Sequence, residues 1–123
     1  MIRDLLDPNW EAETVISQIP IDNLKLLGMK LLIIDVDGTL LSGRDINIHK
    51  SVYQWIREAK KVFQIHLLSN NPSYKRISKV AKRLDLDFTF AAAKPRTKKL
   101  ATLLSKYSYD YSKIALIGDR IFT

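Results

Sequence analysis

The sequence contains no cysteine, which excludes disulfides and any Cys-ligated zinc site. Glycine and proline number four each, and there is no repeat, low-complexity stretch or Pro/Gly/Ser linker, so residues 1–123 read as one folding unit. No apolar run approaches the roughly 20 residues that a membrane-spanning helix needs; Leu31 to Ile34 is only of strand length. The start, Met1-Ile2-Arg3-Asp4, carries an acid early and lacks the apolar core of a signal peptide, so a cytoplasmic location is expected. Acids are also scarce: thirteen Asp and Glu face twenty Lys and Arg, a formal charge of +7 that favours anionic partners. The excess gathers late in the chain. From Lys75 to Lys106 there are ten basic residues against Asp85 and Asp87, a pattern that also suits two solvated helix faces.

Apolar periodicity orders the remainder. Residues 1–30 form a lead-in, with a short helix expected over Glu11 to Ile19, an interruption at Pro20 and a second short turn from Asp22 to Gly28. Residues 31–123 form the core. Leu31 to Ile34 reads as a strand buried on both faces, and Val52, Trp55, Ile56 and Ala59 recur at helical spacing after it. Val62 to Leu68 reads as a second strand, and Ile77, Val80, Ala81 and Leu84 mark one side of a basic helix. A third strand over Asp87 to Ala91, a helix with Leu100, Leu103, Leu104 and Tyr107 inward, and a fourth strand over Ile114 to Ile117 follow. Alternating strands and helices specify an α/β fold, a doubly wound Rossmann-like parallel sheet with right-handed crossovers.

In such sheets chemistry collects at the carboxyl ends of the strands. Polar residues stand at each of those ends: Asp35-Val36-Asp37-Gly38-Thr39, then Ser69-Asn70-Asn71, then Lys94-Pro95, then Gly118-Asp119. Two carboxylates one residue apart repel unless a cation lies between them, and Mg²⁺ takes such carboxylates together with phosphate oxygens. Asp35 and Asp37 can face one site because the intervening residue points away, and Gly38 lets the backbone turn and free its amides for a phosphate. By composition, Asp-x-Asp-Gly-Thr has roughly a one in a thousand chance of occurring somewhere in a chain of this length. Ser69, Lys94 and Asp119 are individually weak signals, since a turn hydroxyl, a surface lysine and a turn acid look the same. Their succession at consecutive strand ends supplies the parts for phosphoryl transfer.

These segments resemble the haloacid dehalogenase (HAD) superfamily, and within it the YqeG-like subfamily IIIA phosphatases, relatives of the mitochondrial phosphatidylglycerophosphate phosphatase. The resemblance runs from Ile19-Pro20 and Gly28-Met29-Lys30 to Gly118-Asp119-Arg120-Ile121-Phe122-Thr123. It implies a Mg²⁺-dependent phosphomonoester phosphatase in which Asp35 is the nucleophile and becomes an aspartyl-phosphate. Asp37 would be the general acid and base, Ser69 would bind phosphoryl oxygens, and Lys94 would balance their charge. Gly38, Thr39 and Asn70 are the expected substrate-binding positions, and Asp35, Asp37 through its carbonyl, and Asp119 the expected Mg²⁺ ligands.

The family's last motif continues as Gly-Asp-x-x-x-Thr-Asp, whereas this sequence stops at Thr123, so a final helix and strand are expected to be missing. Only Leu40 to Ile48 separates the first motif from its helix, which leaves no room for a cap domain. Uncapped members of the family act on bulky substrates, so a phospholipid headgroup such as that of phosphatidylglycerophosphate is a candidate. Lys75, Lys79, Lys82 and Arg83 would then serve as a platform for peripheral contact with anionic lipid. The alternative is a catalytically silent HAD-like domain that binds an anionic partner, such as RNA or a ribosome-associated protein. Nucleic acid is not the expected partner of the leading reading, because no dedicated motif is present and Tyr53, Trp55, Tyr107, Tyr109 and Tyr111 mostly fall at core or strand-approach positions.

Overall fold

The structure is a computed structural model that describes residues 3–4, 16–37, 39–41, 47–90 and 96–118. In chain order its strands are β1 (Arg3–Asp4), β2 (Leu31–Asp35), β3 (Gln64–Leu68), β4 (Asp87–Thr89) and β5 (Ile114–Ile117). Its helices are α1 (Ile21–Leu26), α2 (Lys50–Lys60), α3 (Tyr74–Leu84) and α4 (Arg96–Lys106). All strands pair in parallel in the order β1-β5-β2-β3-β4. The expected α/β architecture is therefore present, with four adjustments. Arg3–Asp4 adds an edge strand beside β5, within the segment expected to be only a lead-in. Two residues carry no periodicity, so only a partner strand can reveal them. The segment expected to be helical from Glu11 to Ile19 is a 3₁₀ turn over Ile16–Gln18 where it is described, and residues 11–15 lie outside the described residues. The strand expected from Val62 to Leu68 is β3, beginning at Gln64, and the strand expected to reach Ala91 is β4, ending at Thr89, with Ala91 itself outside the described residues.

Parity along β2 assigns the two faces of the sheet, since successive side chains point to opposite sides. Leu32, Ile34 and Val36 join Ile56, Ile77 and Val80 in the core under α2 and α3. Leu31 and Ile33 pack instead with Leu103, Leu104 and Leu116 under α4. Every residue of β2 is buried, which is why it reads as an unbroken apolar run rather than an alternation. Burying each such Leu or Ile contributes roughly 1.5–3 kcal/mol, far more than helix or strand propensity. The lead-in is tied down from one side: Trp55 Nε1 donates to the Ile19 carbonyl at 2.8 Å in the buried interior. Gly28, at φ 82°, ends α1 in the left-handed conformation that glycine adopts without strain.

The chain leaves β2 for β3 and then β4 on one side, and returns through α4 to β5 on the other side of β2. The order reverses between β2 and β5. A crevice opens outside the carboxyl ends of the strands at such a reversal, so β2 and β5 frame the place where a ligand would sit.

The α4 face holds a buried polar side chain that the apolar pattern did not announce. His66 of β3 is 2% exposed, with Nδ1 2.9 Å from the Tyr107 hydroxyl and Nε2 2.9 Å from Thr89 Oγ1. Both partners are hydroxyls, so either neutral tautomer is satisfied. Burial above all, then the nearby Lys106 charge, lowers the His66 pKa from 6.5 to about 4, with Asp87 opposing. The unfolded chain thus takes up a proton near pH 6.5 that the fold refuses until about 4, and stability held above that window is lost as pH falls through it. The expected cost is about 1–2 kcal/mol near pH 5 relative to neutrality. Urea unfolding of wild type and His66→Gln at both pH values checks this: the variant should lose less on acidification, and equal losses would contradict it.

Candidate functional site

The site begins where β2 ends. Val36 N donates to the Leu68 carbonyl at 3.0 Å, carrying the sheet pairing one residue past the strand. The Val36 carbonyl then accepts from the amides of Thr39, Leu40 and Leu41 at 3.3, 2.9 and 3.0 Å, which closes a tight turn. With Val36 fully buried in the α2–α3 core, Asp35 and Asp37 fall on the opposite parity from it. Asp35 is 8% exposed, and the end of β5 lies directly against its carboxylate. A Cβ built at Gly118 would stand 2.5 Å from Asp35 Oδ2, so only glycine allows this approach.

Asp37 is gripped at both oxygens. Ser69, at the end of β3 and 1% exposed, donates its hydroxyl to Asp37 Oδ2 at 2.9 Å. Arg76 donates from Nη2 to Asp37 Oδ1 at 3.2 Å, and the two side chains are 17% and 36% exposed. A chain of short-range bonds sets these partners in place. Ser69 N donates to the Thr89 carbonyl at 2.9 Å, and Ser69 Oγ accepts from Asn71 N at 3.0 Å. Asn71 Oδ1 accepts from Ser73 N at 2.8 Å, and Ser73 Oγ caps α3 by accepting from Arg76 N at 3.2 Å. The capped amino end of an eleven-residue helix, with its partial positive charge, therefore begins beside the carboxylates.

The expected residues divide as follows. Asp37 and Ser69 are hydrogen-bonded to each other, and Asp35 stands against Gly118. The Thr39 hydroxyl is buried and has no hydrogen-bond partner among the described residues, a donor that a phosphoryl oxygen would satisfy. Asn70 is exposed, and the backbone amide of its neighbour Asn71 donates to Ser69. Gly38, Lys94 and Asp119 lie outside the described residues. Sequence reasoning missed Arg76, which it counted only in the late basic excess. Its one available signal was position: it stands in the first turn of the helix that follows the Ser69 strand end. Lys75, Lys79, Lys82 and Arg83 do point to solvent along α3.

Oxygen donors dominate the site, which is the chemistry of a hard divalent cation. Asp35, with its buried carboxylate, and Asp37 are oxygen donors of the kind a divalent cation takes, although no group of three acids or histidines that could hold a metal occurs among the described residues. No described helix is long and apolar enough to cross a membrane.

No family model matches the chain, and no curated protein matches it significantly in sequence. Solved structures do match. The cobalt-bound deoxy-D-mannose-octulosonate 8-phosphate phosphatase of Haemophilus influenzae aligns at a TM-score of 0.61 and 21% identity, over 76% of this chain and 60% of that one. A Vibrio cholerae protein assigned as a 3-deoxy-D-manno-octulosonate 8-phosphate phosphatase aligns at 0.63 and 17% identity, over 81% of this chain and 62% of that one. A Xanthomonas campestris protein of no assigned function aligns at 0.52 and 18% identity, covering 86% of this chain and 63% of that one. This chain thus spans less than two thirds of the length of each. At these identities the likeness establishes the fold, and the chain carries the Rossmann-like α/β fold of HAD-type phosphatase structures.

Proposed function

We propose that the protein is a HAD-type phosphatase that hydrolyses phosphomonoesters with the help of Mg²⁺. The observation that carries this reading is the Asp37–Ser69 hydrogen bond, with Asp35 at the same carboxyl end of β2 and against Gly118 after β5, on the fold of two phosphatase structures. In this reading the Asp35 carboxylate attacks phosphorus; an acyl-phosphate bond forms as the ester P–O bond breaks. Asp37 gives a proton to the departing oxygen and later takes one from the water that hydrolyses the acyl phosphate. The Ser69 hydroxyl and the Thr39 hydroxyl, which has no partner among the described residues, supply donors to the phosphoryl oxygens, and Lys94 balances their charge. Asp35, the carbonyl of Asp37 and Asp119 would hold the Mg²⁺, which when bound neutralises charge on the phosphoryl group.

The resemblance to YqeG-like phosphatases narrows the substrate in our reading to a bulky phosphate ester, with a phospholipid headgroup such as phosphatidylglycerophosphate the leading candidate. Four exposed cations on α3, in line with the helix end at the site, support an anionic surface there. The same cations favour the second reading, a silent domain that docks on RNA or a ribosome-associated protein. Hydrolysis of p-nitrophenyl phosphate with Mg²⁺ separates the two. Turnover that stops on chelation and returns with Mg²⁺ is the expected result; no turnover with Mg²⁺, Mn²⁺ or Co²⁺ overturns the enzymatic reading.

A further inference from the structure

Asp37 is held by two donors of different kinds, and only one of them belongs to the expected machinery. Ser69 reaches Oδ2 and Arg76 reaches Oδ1, so both carboxylate oxygens are fixed and the side chain is confined to one orientation. Arg76 is itself constrained, because its backbone amide is bound by the α3 cap and its side chain is mostly buried. It thereby leaves the solvent-facing row of Lys75, Lys79, Lys82 and Arg83 and turns inward.

We infer that Arg76 is a positioning residue, which aims the Asp37 carboxyl at the oxygen that leaves the phosphate. This rests on the phosphatase reading and deepens it. When substrate binds, phosphoryl oxygens compete for the Ser69 hydroxyl, which has a single proton to donate. Arg76 is then the remaining side-chain anchor of Asp37 among the described residues. A misaimed acid loses much of its rate, since displacements near 1 Å cost about 100-fold. The cost depends on the leaving group: an alkyl oxygen needs the proton as its bond breaks, whereas a nitrophenolate leaves without one.

The test compares kcat/KM, which covers the steps through leaving-group departure, for glycerol phosphate and p-nitrophenyl phosphate with Mg²⁺. Arg76→Gln is expected to lose about 30-fold on the alkyl ester and no more than about threefold on the aryl ester, with Arg76→Lys recovering part of the alkyl rate. Equal losses on both esters overturn the inference, because an arginine that merely binds phosphate, or merely supports the fold, treats them alike. A double-mutant cycle in urea with Arg76→Gln and Asp37→Asn reads the contact without turnover. Coupling of about fivefold in the unfolding constant is expected at low salt, and none overturns the inference. Wild type inert toward both esters sinks the phosphatase reading and this role with it, whereas uniform losses or zero coupling in an active enzyme sink this role alone.

Discussion

Asp35→Asn is expected to lower kcat on phosphate monoesters by about 10³-fold or more while leaving the fold intact. Asparagine matches aspartate in size, so it keeps the nearly buried seat at the end of β2 and the close contact with the Gly118 backbone. What it loses is the anionic oxygen that attacks phosphorus in the proposed mechanism. Removing one of two neighbouring carboxylates also relieves like-charge repulsion, so the melting temperature should hold or rise. Parallel measurement of kcat and thermal unfolding separates these effects. A variant retaining more than about a tenth of wild-type kcat would remove Asp35 from the role of nucleophile. A cooperative melt at unchanged temperature together with lost turnover is the result that supports it.

Gly118→Ala is expected to reduce kcat by about 10- to 100-fold through a contact rather than through chemistry. The φ of Gly118 lies outside the left-handed region, unlike that of Gly28, so alanine meets no backbone strain there. Its methyl would nevertheless lie 2.5 Å from Asp35 Oδ2 and 3.1 Å from the carboxyl carbon. Either the carboxylate rotates away or β5 retreats by several tenths of an ångström, and either movement displaces the carboxylate proposed as nucleophile. Overpacking of this kind costs about 1–3 kcal/mol of stability, within reach of a folded variant. Activity and urea unfolding of the variant check both halves; unimpaired turnover would mean that Asp35 has slack at its seat and that the approach of β5 is incidental.

The legibility of the site differs from residue to residue. Asp35 and Asp37 could be read because two like charges at the end of an apolar strand are costly unless a cation or a ligand offsets them, and the parity argument needs only the strand period of two. Ser69 was readable by its place in the succession of strand ends. Arg76 was not, because a basic residue on an amphipathic helix is the ordinary solvent-facing choice, and its inward turn depends on the distance between the first turn of α3 and the loop after β2. His66 was hidden for a similar reason: one histidine within an apolar strand becomes a satisfied buried group only when Thr89 and Tyr107 arrive from β4 and the end of α4. The bond from the Asn71 backbone amide to Ser69 is set by the turn after β3, and the residue type at position 71 does not reveal it.

Periodicity, strand-end polarity and glycine placement by themselves determined the α/β class, the order of the core strands from β2 to β5 along the chain and the end of the sheet where Asp35, Asp37 and Ser69 stand. These are local properties, set by side-chain spacing of two or near 3.6 residues and by backbone freedom. Tertiary structure alone decided that β1 pairs at the edge, that β5 returns beside β2 so that Gly118 presses on Asp35, and that Arg76 closes on Asp37. Each of those is a meeting of residues distant in sequence, and which of many such meetings occurs depends on the packing of the whole sheet between its helices.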